Sequence, residues 1–402
     1  MLPMSRAMPS FRTLAVATAL VVAVTADAWA QSKKDESSRT SAPQAMLVEA
    51  DSGSILYERD ADKLIYPASL AKMMTAEYVF NEVKQGRLKL DDEFIVSEDA
   101  WRRGGAPSRT SSMFAPIHSK VRVEDLLRGV IIQSGNDASI ALAEGIAGNE
   151  RTFAERMTKR AREIGLSKST FMNATGLPDP DQKVTVRELS QLARHIIQTY
   201  PDFYKIYGER EFTWNKIRQY NRNPLFKVEI GADGLKTGYT KESGYGLVGS
   251  AVQNGLRLIV VVAGLETANE RASEGRKLLE WGFRSFQSRL LFAEGQTIGE
   301  AKVYGGDRGR VALIPIKPVR IMLPRNANDK IIARIVYTGP VPAPVKKGQQ
   351  IGRLKVWRND AVALEMPLYA GADIGTGNLS QRAFDAATEM VISLFRAGAD
   401  RL

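Results

Sequence analysis

The chain of 402 residues contains no cysteine and only two histidines, His118 and His195. The first absence excludes a disulfide framework, a thiolate zinc site and a cysteine nucleophile. The second, with no His-Glu-x-x-His run, argues against a histidine-based metal centre, so neither metal nor cofactor is expected. A Gly-x-Ser-x-Gly elbow is also missing. Gly231-Ala232-Asp233-Gly234-Leu235-Lys236-Thr237 fails as a phosphate loop, because Leu235 separates the glycine from the lysine. His118 lies in a predicted loop and His195 on a predicted helix, and both are expected to be structural or exposed.

What the chain does have is a basic excess, 56 Lys and Arg against 45 Asp and Glu, for a formal charge of +11. Its 44% apolar residues suffice for the cores of two or three domains. Such a charge suits nucleic acid, an anionic membrane surface or an anionic polymer. The N-terminus chooses among them. Arg6 and Arg12 precede an uncharged, mostly apolar stretch, Leu14 to Ala26, and then Ala28-Trp29-Ala30. These are the parts of a secretory signal peptide over residues 1–30, and the apolar stretch is too short to span a bilayer. An exported protein does not meet chromosomal DNA, so no nucleic-acid partner is expected.

Residues 31–42 are mainly Ser, Lys, Asp and Glu and are expected to form a flexible linker. Apolar runs on either side of Asp51-Ser52-Gly53 predict a β-hairpin. Pro67 precedes a good helix-forming run that is expected to end near Val83, with Ser69 in or beside its first turn. Residues 97–118 read as a surface loop, and Val123 to about Arg194 as mainly helical. Strands return after Gly234, with Asn254-Gly255 as a two-residue hairpin turn and a helix from about Asn269 to Phe286. Residues 43–286 thus describe one α/β (α+β) domain with a helical insertion.

Residues 287–378 hold five short strand-like runs, at 311–316, 319–323, 331–337, 351–357 and 361–369, and are expected to form a small all-β domain. Residues 287–402 carry 17 basic and 10 acidic side chains, +7 of the +11. The last segment, 379–402, is predicted as an amphipathic helix, with Leu379, Phe384, Ala387, Met390, Val391, Leu394 and Phe395 on one face. That face suits a membrane surface or a docking partner.

Three short elements carry chemistry: Ser69-Leu70-Ala71-Lys72, Ser134-Gly135-Asn136 and Lys236-Thr237-Gly238. The first places a hydroxyl and an amine one helical turn apart, on one face. Serine needs a base to become a nucleophile, and an amine serves if it is kept neutral. A helix N-terminus, burial and a second lysine all disfavour the ammonium. Ser69 is therefore the expected nucleophile and Lys72 its general base. Ser134 is placed to relay a proton to the leaving group, and Asn136 to orient the substrate amide and the lysine. Lys236 and Thr237 offer donors for a carboxylate, and Gly238 lets substrate lie against the strand expected to follow. An oxyanion needs two backbone N–H groups, and those of Ser69 and Tyr239 are the candidates.

In this order the elements resemble the motifs of penicillin-binding proteins and class A β-lactamases. The blocks Tyr66 to Thr75, Val130 to Ala138 and Asp233 to Thr240 closely resemble the low-molecular-mass penicillin-binding proteins, the serine-type D-alanyl-D-alanine carboxypeptidases. The resemblance runs over about residues 43–380. It implies a β-lactamase-like transpeptidase fold, followed by the β domain and the amphipathic helix. It implies acylation of Ser69 by peptidoglycan stem peptides ending in D-Ala-D-Ala, release of D-alanine, hydrolysis of the acyl-enzyme, and acylation by β-lactams. Arg271, on the helix after the last strands, matches the arginine that holds the terminal carboxylate in relatives. The implied location is periplasmic, peripheral on the outer face of the bacterial inner membrane through the C-terminal helix. A D,D-endopeptidase, a β-lactamase and a non-catalytic wall-binding scaffold are the alternatives. For the β-lactamase, the one faint match to a deacylating glutamate is Glu211 in Glu211-Phe212-Thr213-Trp214-Asn215.

Overall fold

The computed structural model describes residues 39–325, 329–358 and 361–383. The expected signal peptide lies outside the described residues, as does the expected helix beyond its start, residues 379–383, which are helical. Of the expected linker, residues 39–42 are described, and Thr40 and Ala42 are buried. Arg59 Nη1 donates to their carbonyls at 2.6 and 3.2 Å, which ties the end of this polar stretch to the sheet.

Strands β1 (Gln44–Glu49) and β2 (Ile55–Arg59) form the expected hairpin. A 3-10 turn, Ala68–Ala71, then runs into helix α1 (Lys72–Lys84). The helical insertion contains β3 (Glu93–Ile95), α2 (Glu98–Gly104), β4 (Lys120–Arg122), α3 (Val123–Arg128), a π-helical turn Gly129–Gln133, α4 (Asn136–Ala147), α5 (Glu150–Glu163), α6 (Val186–Thr199) and α7 (Pro201–Gly208). A short hairpin, β5 (Glu211–Trp214) and β6 (Ile217–Tyr220), leads to β7 (Ala232–Thr240), β8 (Gly244–Gln253), β9 (Leu256–Leu265) and the closing helix α8 (Ala268–Ser285). Asn254 and Gly255 form the predicted turn, both at positive φ.

The main sheet has the order β2-β1-β9-β8-β7, and every pair in it is antiparallel. The all-antiparallel ladder makes the domain α+β. Strand β9 explains the layering. Its unbroken apolar run is buried on both faces, as expected for a strand between two helical layers. Ile259, Val261 and Ala263 pack with α1 and the insertion, whereas Leu258, Val260 and Val262 pack with Leu278, Leu279 and Phe283 of α8. The period-2 alternation of one strand thus joins two cores.

Three expectations need correction. The stretch read as a loop at 97–118 contains α2, whose N-terminus is capped by Ser97 Oγ accepting from Ala100 N at 2.9 Å. Glu98–Arg102 and Asp99–Arg103 pairs complement its two ends, local signals that the surrounding Gly, Pro and Ser outweighed. The stretch read as helical to Arg194 is irregular between α5 and α6, where Asn173, Gly176, Pro178 and Pro180 break the helix. Finally, Lys236-Thr237-Gly238 lies inside β7 rather than before a strand.

Beyond α8 come β10 (Phe286–Phe292), β11 (Gly299–Tyr304), β12 (Arg310–Ile314), β13 (Val319–Pro324), β14 (Ile331–Tyr337), β15 (Val341–Pro342), β16 (Gln350–Arg358) and β17 (Ala361–Ala370). Six form a sheet of order β14-β16-β17-β12-β11-β15, and β10 pairs with β13. Leu313, Leu354, Val356 and Leu368 lie in their own core. The five expected strands are present. β10, β11 and β15 were not anticipated, because charged residues, glycine and proline interrupt their apolar pattern.

The two histidines stand apart from the proposed chemistry. His118 is exposed. His195 Nε2 lies 3.1 Å from the buried Glu77, which also accepts from Arg160 and Tyr200. This network joins α1, α5 and α6. Among the described residues no helix is long and apolar enough to cross a membrane.

Candidate active site

The 3-10 turn and the first turn of α1 place Ser69 and Lys72 on one face, with Lys72 Nζ 3.2 Å from Ser69 Oγ. Lys72 is buried and Ser69 half-buried. Nζ also donates to Asn136 Oδ1 at 2.7 Å and to the Thr175 carbonyl. Those two oxygens can only accept. A neutral amine has two N–H donors and one lone pair, so with both donors engaged the lone pair is left for the Ser69 hydroxyl. Asn136 of the second element and Thr175, which lies outside all three, thereby set the orientation of the amine. Burial, and then the Arg222 guanidinium, bring the Lys72 ammonium down to about 7, so the neutral form is populated near neutral pH.

Asn136 opens α4 and is itself held from both ends. Its backbone N–H donates to Ser111 O at 2.7 Å, and Nδ2 donates to Thr110 Oγ1 at 2.9 Å. The buried Asp137 next to it accepts from Ser112 Oγ, Met113 N, Ala115 N and Ala138 N, fastening the 112–115 segment to the helix start. Burial raises the Asp137 carboxyl even so. Ser134 sits at the junction of the π-helical turn and α4, in the left-handed region with φ 65°. Its Oγ is buried and hydrogen-bonds to no described residue, which leaves the hydroxyl both as donor and as acceptor for a ligand.

Strand β7 is the edge of the main sheet and packs on the 3-10 turn. Lys236 is buried there, and its Nζ donates to Thr237 O at 3.2 Å. Gly238 also has a packing role. A Cβ at this position would lie 3.1 Å from Leu70 Cγ and from Pro67 O, so the missing side chain lets β7 close on the turn that carries Ser69. Tyr239, the expected oxyanion donor, follows on the same edge strand, with about half of its surface exposed.

Arg271 lies in the first turns of α8 behind β8. Its guanidinium sits over the Tyr245 ring at 5.3 Å, and its buried Nε has no hydrogen-bond partner. Sequence reasoning missed Arg222, whose Nη1 donates to Ser111 Oγ at 2.5 Å. Burial pushes the ammonium of Lys236 well down, followed by the charges of Lys72, Arg222 and Arg271. Burial likewise lowers Arg222 and Arg271. Lys236, Arg222 and Arg271 therefore share one field, and none of them forms an ion pair with a described carboxylate. Such a cluster attracts an anion. Thr175 and Thr110 were also missed. The turn-forming Asn173 to Pro180 run was a legible signal for the former, whereas no motif marks Arg222.

The comparisons with known proteins fit this geometry. Residues 20–267 match the family model described as D-alanyl-D-alanine carboxypeptidase, and residues 286–376 match that of the penicillin-binding protein 5 C-terminal domain. The chain is 39% identical over 353 residues to D-alanyl-D-alanine carboxypeptidase DacA of Haemophilus influenzae, covering 87% of this chain and 89% of that one. It is 38% identical over 377 residues to DacC of Escherichia coli, covering 93% and 94%. The solved structure of penicillin-binding protein 5 from Haemophilus influenzae superposes with a TM-score of 0.75 at 39% identity, over 84% of this chain and 98% of that one.

Proposed function

The chain belongs to the D-alanyl-D-alanine carboxypeptidase family of serine peptidases, and from that premise we propose that Ser69 is its acyl-accepting nucleophile and Lys72 the base. The enzyme is a serine-type D-Ala-D-Ala carboxypeptidase that removes the terminal D-alanine from peptidoglycan stem peptides and binds β-lactams. One observation carries the assignment of roles: the Lys72 amine faces two pure acceptors and one hydroxyl, the hydroxyl of Ser69.

As Ser69 Oγ attacks the penultimate carbonyl, its proton passes to Lys72 Nζ. The N–H groups of Ser69 and Tyr239 receive the oxyanion. Collapse expels the D-alanine amine, which must take up a proton, and the unpartnered Ser134 hydroxyl relays it from Lys72. Water then repeats the sequence on the acyl-enzyme and frees Ser69. Lys236, Thr237 and Arg271 hold the substrate's terminal carboxylate, while Asn136 orients the substrate amide together with Lys72. A β-lactam follows the first half of this course, but its leaving amine stays tethered to the acyl group.

Glu211 lies on β5 in an ion pair with Arg218, and none of its hydrogen bonds among the described residues reaches Ser69, Lys72 or Ser134. The unpaired cations favour a substrate ending in a carboxylate over a cross-bridge interior. Incubation with a peptide ending in D-Ala-D-Ala is expected to release free D-alanine, with penicillin bound stably and cross-linked dimers cut slowly. Faster cleavage of the dimer than of the pentapeptide would refute this preference.

Export to the periplasm and peripheral attachment to the inner membrane through residues 379–402 belong to the same proposal. The support is the signal-peptide pattern, the apolar face of the tail and the +7 of residues 287–402. Deleting residues 379–402 is expected to release the protein from membranes without lowering activity on a soluble peptide. Unchanged membrane association in fractionated cells would count against it.

A further inference from the structure

We propose that Tyr245 and Tyr239 form an aromatic platform that positions Arg271 for the substrate's terminal carboxylate, so that the preference for a free C-terminus depends on two residues outside the three motifs. The inference rests on the reading of Arg271 as a carboxylate ligand.

An arginine meant to bind a ligand faces a conflict. It must be held still, yet the donors it will use must not be spent on protein acceptors. Arg271 resolves this without a carboxylate partner. Its backbone is fixed in α8, where Thr267 caps the helix by accepting from Glu270 N, and Arg271 N bonds to Thr267 O. The guanidinium makes no hydrogen bond and no ion pair with a described residue, and what it meets is the Tyr245 ring, 5.3 Å from Cζ to the centroid. A ring face attracts a cation through its quadrupole while using none of the N–H groups, which lie in the guanidinium plane.

The platform is itself braced. Tyr245 stacks on Tyr239 with centroids 4.1 Å apart and planes at 28°. The two residues are direct cross-strand partners in the β7–β8 ladder, and Tyr245 also pairs with Leu265 of β9. The order is therefore Arg271, Tyr245, Tyr239, solvent, with half of the Tyr239 surface exposed. Tyr239 has two parts in this arrangement. Its backbone N–H is the proposed oxyanion donor, and its ring supports the carboxylate clamp.

A matched pair of acylating agents tests this: benzylpenicillin, which carries a free carboxylate, and its methyl ester, which does not. The readout is the ratio of their second-order acylation rates on the full chain. The wild type is expected to prefer the free acid. Tyr245→Leu is expected to lower that ratio by about tenfold, the order of a well-formed cation–π contact, by slowing the free acid alone. Tyr245→Phe, which retains the ring, is expected to keep the preference. The ester rate reports that each variant is folded and its Ser69 competent. Arg271→Ala separates the two layers. If it leaves the preference intact, the carboxylate reading of Arg271 fails. If it removes the preference while Tyr245→Leu preserves it, the platform is wrong and Arg271 stands. An equal loss of free acid and ester rates in Tyr245→Leu would also overturn the platform, because it would indicate general damage to the strand.

Discussion

Lys72→Ala is expected to slow acylation of the protein by penicillin by about a thousandfold, within the range for loss of a general base, while the melting temperature stays close to that of the wild type. The two outcomes belong together. Lys72 is a buried amine whose charged form is disfavoured by burial and by Arg222, so its removal deletes an electrostatic burden along with some packing. The pH dependence gives a second check. Acylation needs the neutral amine, so the wild-type rate is expected to rise with pH through an inflection near 7. Stability has its own sign. Folding lowers the Lys72 ammonium from its ordinary 10.5 to about 7. Below about 7 the group is protonated in both states and contributes no slope. Between about 7 and 10.5 the unfolded chain binds the extra proton, so stability rises with pH across that window. Lys236, also lowered by burial, adds a contribution of the same sign that persists in the variant. Lys72→Ala should therefore flatten the rise in denaturant midpoint between pH 7 and 10 without abolishing it. Retained wild-type acylation, or an unaltered pH slope of stability, would remove Lys72 from the role of base.

Much of that site was legible in the sequence because its parts are local. Ser69 and Lys72 share a face through one helical turn, and Ser134 and Asn136 flank one glycine at a helix start. Lys236 to Tyr239 occupy consecutive positions of one strand. Each relation is a matter of spacing, which sequence displays directly. The sheet was legible for the same reason, since the apolar run of β9 and the Asn254-Gly255 turn are signals within a few residues. What escaped is long-range. Arg222 reaches the site only because the 110–115 segment, pinned by Asp137, brings Ser111 to it. No pattern around Asn221-Arg222-Asn223 announces that approach. The packing need at Gly238 comes from Pro67 and Leu70, in a segment more than 160 positions away. The irregular stretch between α5 and α6 was misread for another reason. Its turn residues were visible, but the helical texture on either side outweighed them.

That irregular stretch carries the second large effect. Gly176→Ala is expected to reduce penicillin acylation by about a hundredfold and to destabilise the fold. Gly176 is at φ 79°, and a Cβ there would lie 1.9 Å from the Ala68 carbonyl oxygen and 3.1 Å from Ser69 N. The obstacle is backbone, so the chain itself must move. Two anchors resist the movement on the loop side: Gly176 N donates to Asn173 Oδ1 at 2.7 Å, and Thr75 Oγ1 donates to Ala174 O at 2.7 Å. The neighbouring Thr175 carbonyl accepts from Lys72. A side chain at 176 thus pushes the nucleophile's turn one way and the lysine's acceptor the other, and a displacement of about 1 Å in a catalytic geometry costs on the order of a hundredfold in rate. Backbone strain alone is separable from this steric wedge. Gly148 has the same φ of 79° at the end of α4, with nothing within 4 Å of a built Cβ. Gly148→Ala is expected to lose about 1 kcal/mol for the left-handed conformation, with acylation unchanged. Stopped-flow acylation and denaturant unfolding of both variants decide the matter. If Gly176→Ala acylates as fast as Gly148→Ala, the close approach of this loop does not set the Ser69–Lys72 geometry. If the two lose the same stability as well, strain alone accounts for both.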